Sequence, residues 1–196
     1  MKYTLLLDSS NTDLVVGLAD EDKILEVVSY DAWQTQSERM IVEIDNLLTK
    51  YQVDKNDIQD VMVAVGPGSY TGVRIAITIA KTIFVALHTN IYVVSSLNCL
   101  KSHEKPSICL INARSNRSYF AVYENEKAIV NDTVLTNDEV KKYIEEHPNY
   151  VVCGKCKYLG ISAYDANIAE EMYSLKKYLE PVTNPHAIKP VYLKDY

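Results

Sequence analysis

The sequence predicts an α/β protein of two similar lobes, each a mixed β-sheet with a β-meander and helices. Three observations predict it. Short apolar runs bounded by Asp, Ser and Asn turns recur along the chain, as buried strands do. Helical apolar spacing stands between them in both halves. Sliding the chain by 104 residues sets Asp8 on Asn112, Val15 on Tyr119, Val16 on Phe120 and Lys23 on Lys127 without a gap.

The first half opens with Tyr3–Leu7, a strand, then the turn Asp8-Ser-Ser-Asn-Thr12. Leu14–Ala19 and Ile24–Tyr30 complete a meander around Glu21-Asp-Lys23. Thr35-Gln-Ser-Glu38 has capping-box spacing, and Met40, Ile41, Ile44, Leu47, Leu48 and Tyr51 mark one face of a helix over Ser37–Tyr51. Val61–Val65 is a strand ending at Gly66, Thr71–His88 a long helix, Ile91–Val94 a strand and Ser95–His103 a short helix. The second half repeats the order of elements: strands Ser107–Ile111, Ser118–Tyr123 and Ala128–Leu135, with Asn112–Arg117 as the first turn. A second capping box, Thr136-Asn-Asp-Glu139, opens a helix that stops before Pro148. Tyr150–Val152 is a strand and Ala166–Leu179 a helix. Two such lobes facing each other describe the actin-like (ASKHA, RNase H-like) fold of sugar kinases and heat-shock ATPases. The expected division is 1–103, an N-terminal lobe, and 104–196, a smaller, truncated lobe with a C-terminal tail. In that fold the first turn of each lobe points at the phosphates of a nucleotide held between them.

A hydrophobic fraction of 47% over 196 residues is too high for disorder and suits a globular chain. A net charge of −6 argues against autonomous nucleic-acid binding, which needs a basic surface. Met1–Asp8 is no signal peptide, because its apolar run is short and ends in aspartate. No segment reaches the ~20 uninterrupted apolar residues of a membrane span. Thr71–Leu87 comes nearest and is broken by Arg74 and Lys81, so a cytoplasmic location and no membrane contact are expected. Cys153-Gly-Lys-Cys156 has redox or half-zinc-site spacing, but Cys99 and Cys109 make no second pair. The preferred reading is a strand that ends in a turn at Gly154. The tyrosines Tyr158, Tyr164, Tyr173, Tyr178, Tyr192 and Tyr196 are irregularly spaced and read as filling, not as a base-stacking platform.

Gly66-Pro-Gly-Ser-Tyr-Thr-Gly-Val-Arg74 joins a strand to a helix. Its glycines allow close approach of another chain or ligand, and the free N–H groups of a helix start favour an anion. Neither the phosphate-loop nor the dinucleotide spacing is present. The helix behind it is apolar nearly all round, with only Arg74, Thr78, Lys81 and Thr82 polar. A helix on one sheet needs one apolar face. The expectation is a sheet on one side and another protein on the other.

The stretch Val63–Ala76, V-A-V-G-P-G-S-Y-T-G-V-R-I-A, resembles the signature of the bacterial TsaB family. Further matches fall in the right order: Asp8-Ser-Ser10, Ser37-Glu-Arg39, Ile111-Asn-Ala-Arg114 and Pro190-Val-Tyr-Leu-Lys194. The match is strong to about residue 120 and thins beyond. The resemblance implies an actin-like subunit, a degenerate relative of TsaD, that forms homodimers or pairs with a TsaD-like catalytic subunit. With a TsaE-like ATPase, that complex installs threonylcarbamoyl on adenosine 37 of tRNAs reading ANN codons, so tRNA is met only indirectly. The candidate partner face is Met40, Glu43, Ile44 and Leu47 of the first helix and Arg74, Thr78, Ile79, Lys81, Thr82 and Ile83 of the second. A charge placed at Ile79 or Ile83 is expected to break that contact.

A chain acting alone as an enzyme is not expected. A TsaD-type metal needs two histidines on one helix, whereas His88, His103, His147 and His186 share none, and Gln36 stands where the family often has histidine. Ser69 is not in a G-x-S-x-G elbow. The alternative is a small-molecule kinase or ATPase of the actin-like superfamily, with Asp8 positioning Mg²⁺ and Thr12 touching phosphate. Its weak point is Asn112, which offers no charge in the second lobe. Asp8, Ser9, Ser10, Thr12, Gly68 and Ser69 are the candidate phosphate or nucleotide contacts. No catalytic residue, metal or tightly bound cofactor is expected, and ATP or ADP only at the interface of a complex. Arg114 and Arg117 in the basic turn read first as a solvated hairpin.

Overall fold

The computed structural model describes residues 1–193. Its apolar runs pair as two sheets. The first contains β1 (Tyr3–Asp8), β2 (Asp13–Ala19), β3 (Ile24–Asp31), β4 (Ile58–Ala64) and β5 (Asn90–Val94), in the order β3-β2-β1-β4-β5. The meander is antiparallel, while β4 and β5 run parallel to β1. Each parallel step needs a crossover. These are α1 (Gln36–Lys50) and α2 (Tyr70–Leu87). The second sheet contains β6 (Ser107–Arg114), β7 (Arg117–Glu124), β8 (Lys127–Thr136) and β9 (Val151–Cys153), in the order β8-β7-β6-β9, with α3 (Asn137–Glu146) as the crossover. The second lobe is the first without its last helix and strand. The 104-residue offset lays β1–β3 over β6–β8. It fails after them because α3 has 10 residues where α1 has 15.

Both faces of the first sheet are covered, which is why its strands read as continuous apolar runs. Leu5, Leu7, Leu14, Val16, Val61 and Val63 lie under α1 and α2. Leu6, Val15, Met62 and Ala64 point the other way, onto Ala169, Met172 and Leu175 of α4 (Ile168–Leu175). Ile168 also touches the apolar face of the second sheet, so α4 lies between the sheets. The chain then returns over the first lobe. The Val182 N–H donates to the Ile91 carbonyl at 2.8 Å and the Val191 N–H to that of Val65 at 2.7 Å. A division at residue 103 assigned all of this to the second lobe. Residues 169–191 pack on the first lobe as well, covering the face of its sheet that also carries Cys99, while Ile168 reaches the second.

Other elements differ locally. Thr35 precedes α1 but makes no capping box: its hydroxyl donates back to the Ala32 carbonyl at 3.1 Å. Thr136 makes one in full, with Glu139 answering. Ser95–His103 holds only one 3₁₀ turn, Asn98–Leu100, preceded by Ser95, whose hydroxyl accepts the N–H groups of Leu97 and Asn98 as a helix-start serine does. The Ala166–Leu179 helix narrows to Ile168–Leu175 and a 3₁₀ turn at Lys176–Tyr178. Tyr192 stacks on Tyr70 with centroids 5.1 Å apart, whereas Lys194 and Tyr196 lie outside the described residues.

Candidate functional site

The Asp8–Thr12 turn and the glycine-rich turn interlock. An added Cβ on Gly72 would stand 1.9 Å from the Ser9 carbonyl oxygen, and one on Gly68 2.2 Å from that of Ser10. These glycines make room for the backbone of the neighbouring turn. The Ser9 hydroxyl donates to the Gly72 carbonyl at 2.7 Å, and the Ser69 N–H to the Ser10 carbonyl at 2.6 Å. Ser69 then caps α2, its hydroxyl accepting the Gly72 N–H at 3.2 Å. Asp8 is buried behind this contact, and its Oδ1 accepts the Ser10 N–H at 2.9 Å. Burial pushes its carboxyl up from the ordinary range, more than the bonds from Ser9 and Ser10 pull it down.

Between the lobes lies a cleft of about 930 Å³. Ser10, Thr12, Gly68 and Ser69 line it from the first lobe, while Asn112, Arg114 and Tyr119 line it from the second. Asp8 and Ser9 stand behind that wall and do not line it. Arg114 and Trp33 meet across the cleft, the guanidinium 5.3 Å from the indole centroid. The basic turn therefore includes an interlobe contact, not a wholly solvated hairpin. Asn112 repeats the role of Asp8: its Oδ1 accepts the Arg114 N–H at 2.8 Å.

Three of the four histidines have structural neighbours of separate kinds. His103 pairs with Glu171 at 2.7 Å, His147 stacks on Tyr143, and His186 meets the edge of Phe84. His88 closes α2 in the left-handed conformation. Among the described residues no three His, Cys, Asp or Glu side chains converge to hold a metal. Gln36, which sequence reasoning noted only as a missing histidine, is buried. Its amide donates to the carbonyls of Asn11 at 2.8 Å and Asp13 at 3.0 Å, clamping the first turn from behind. A polar residue just before the amphipathic spacing of α1 was the available signal.

The family model described as TsaD, tRNA N6-adenosine threonylcarbamoyltransferase, matches residues 27–152, more than half of the chain. A Bacillus subtilis (strain 168) protein named tRNA threonylcarbamoyladenosine biosynthesis protein TsaB is 33% identical over 135 residues. The chain belongs to the TsaD family. That alignment covers 66% of this chain and 58% of the Bacillus protein. The uncharacterized protein MG208 of Mycoplasma genitalium is 26% identical over 200 residues, covering 99% of this chain and 96% of its own. YeaZ from Pseudomonas aeruginosa superposes with a TM-score of 0.81 at 23% identity, over 98% of this chain and 100% of that one, and so shares this two-lobe fold.

In this chain of the TsaD family the candidate partner face divides in two. Met40, Ile44, Leu47 and Ile79 are core residues, buried between α1, α2 and the sheet. They cannot meet a partner, because their spacing is that of the face turned to β1 and β4. Glu43, Lys81 and Ile83 are half-buried, while Arg74, Thr78 and Thr82 are exposed. Glu43 accepts the Tyr30 hydroxyl at 2.9 Å, and Lys81 donates to the carbonyls of His186 and Ile188. The returning chain thus covers one flank of α2 and α1 packs beside it, which explains part of its all-round apolar character. What stays open is a row on α2, Arg74, Thr78, Thr82 and Val85, with Ile41 and Val42 on α1. Val85 is 58% exposed and Ile41 51%. By length and composition α2 is the one described helix that could cross a membrane. Here it rests on the sheet through Val73, Ala76, Ile77 and Ala80.

Proposed function

We propose that this chain is the non-catalytic, activating partner of a TsaD-type transferase in the threonylcarbamoylation of adenosine 37 of ANN-decoding tRNAs. One observation carries the reading: α1 and α2, on the same face of the first sheet, leave Ile41, Val42, Thr78, Thr82 and Val85 uncovered in a chain of this family. Exposed apolar side chains edged by polar ones suit a surface that is covered in a complex. The same face joins two copies when the TsaD-type subunit is absent. A TsaE-like ATPase enters through the complex, and tRNA meets this acidic chain only indirectly.

The closed first turn supports a pseudoenzyme. Asp8 is engaged with its own turn, Asn112 carries no charge, and the Gly72 N–H is taken by Ser69. No tightly bound cofactor is required by this arrangement, and ATP or ADP is assigned to the interface of the complex. Size exclusion with light scattering, alone and with the TsaD-type protein of the same cell, tests the reading. A chain that stays monomeric and ignores that protein overturns it. Val85→Asp is expected to abolish association while circular dichroism stays native. Ile79→Asp is expected to unfold the chain, because it buries a charge in the core at a cost of several kcal/mol. Loss of fold with Val85→Asp, or a folded and associating Ile79→Asp, contradicts the division of the face.

A further inference from the structure

The Cys153-Gly-Lys-Cys156 spacing pairs two thiols in sequence, but the sheet separates them. Cys153 faces the cluster of Leu100, Ala121 and Tyr123, whereas Cys156 lies in the opposite cluster with Ile108 and Leu110. Cys156 reaches only the Cys153 carbonyl, at 3.9 Å. The register places a different thiol beside Cys153. In the parallel β6–β9 pair, Cys109 is its direct Cα partner. Both side chains share one face and both are buried, each thiol donating to the carbonyl two residues back in its own strand, Cys109 to Ser107 at 4.0 Å and Cys153 to Val151 at 3.7 Å. Neighbouring strands lie about 4.8 Å apart, within the Cα spacing of roughly 4.4–6.8 Å that a disulfide spans.

We propose that Cys109 and Cys153 are an oxidation site, forming a reversible disulfide when a hydroperoxide reaches them. The neighbouring Cys109 thiol is the main influence that holds the Cys153 thiol below its ordinary range, with Ser107 and Ser102 adding to it against the burial that opposes them, whereas burial pushes Cys109 up. Cys153, which ends the short edge strand β9, is assigned as the attacking sulfur. Its thiolate takes the terminal hydroperoxide oxygen, the O–O bond breaks, and the alkoxide or hydroxide leaves with the proton Cys153 gave up. Cys109 then attacks the sulfenic sulfur. The S–O bond breaks and hydroxide departs as water with the Cys109 proton. Two thiols lose two electrons in all, and the hydroperoxide becomes an alcohol (or water) and one further water.

Access comes through the sheet edge. β9 has three residues, and among the described residues its outer side is paired through Tyr164, which donates its N–H to the Val152 carbonyl at 2.8 Å and accepts that of Gly154 at 3.0 Å. Short edges of this kind open locally without global unfolding. The crosslink would tether the following residues Gly154 and Lys155, and Lys155 forms an ion pair with Asp13 of the first lobe. The inference rests on the second sheet alone and is independent of the partner reading.

The reduced full chain, exposed to hydrogen peroxide under native conditions, has its remaining thiols blocked and is digested and mapped without reductant. The expected product joins the Cys109 and Cys153 peptides, lowers the free thiols by two from the starting four, and is reversed by dithiothreitol. It should persist in Cys156→Ala and in Cys99→Ala. A Cys153–Cys156 bridge, sulfinic acid on Cys153 without linkage, or four unreacted thiols would each overturn the proposal. The wild-type map decides whether or not the variants fold.

Discussion

Asp8 and Asn112 hold the same bond at equivalent places in the two lobes, each accepting the N–H two residues on. The bond needs an oxygen, not a charge, which is why asparagine serves in one lobe and a carboxyl with a raised pKa in the other. The sign of its pH dependence follows. A carboxyl whose folded pKa is raised binds its proton more tightly in the native state, so its contribution to stability falls as pH rises from the unfolded to the folded pKa. The stability difference between Asp8→Asn and the parent should therefore move in favour of asparagine from pH 4 to pH 8. Urea titrations at the two pH values read it, and a difference that is flat or moves the other way contradicts the burial argument. Gly72 is subject to a harder constraint. With a Cβ 1.9 Å from the Ser9 carbonyl, one turn must move, and Gly72→Ala should cost about 3 kcal/mol in the same titration. The sequence showed these glycines but not what approached them. A carbonyl and a phosphate oxygen ask for the same missing side chain.

Elements were legible where local chemistry decides them. The meander, both crossover helices of the first lobe and the capping box at Thr136 follow from period and spacing. The same four-residue pattern failed at Thr35, whose backbone is not extended (φ −117°, ψ 3°) and whose hydroxyl finds Ala32. Thr136→Ala should therefore weaken amide protection at the start of α3 in hydrogen exchange, while Thr35→Ala leaves that of α1 unchanged. Equal losses would mean that the capping geometry is not what separates them. α2 was harder to read for a reason of the opposite kind. Its apolar residues point to β4, to α1 and to the returning chain, and only tertiary packing separates those sides from the row at Thr78, Thr82 and Val85. That is also why Met40, Ile44, Leu47 and Ile79 passed as partner residues: buried core and covered interface have the same composition.

At the scale of the molecule, duplication was visible as an offset, and the sheets repeat strand for strand until α3 shortens. The path of the last thirty residues was not legible, because their partners are distant in sequence. Lys101 shows the same limit. Its ammonium is fully buried, 3.0 Å from Glu171 on α4 and 3.4 Å from Glu126, while His103 holds the other Glu171 oxygen at 2.7 Å. Removing one partner from such a pair strands the other. Lys101→Met should cost about 3 kcal/mol, and adding Glu171→Leu should restore much of it. A double-mutant cycle by urea denaturation measures the coupling, and simple additivity would refute it.

The place of α4 also bears on how the chain is made. Leu6, Val15 and Met62 leave the ribosome well before the residues that cover them, Ala169, Met172 and Leu175, which follow Met62 by more than a hundred residues. Until they emerge, the nascent chain carries a nearly finished sheet with one bare oily side. A stalled or prematurely terminated product would keep that side bare, and is the form of this protein that chaperones and proteases should see most.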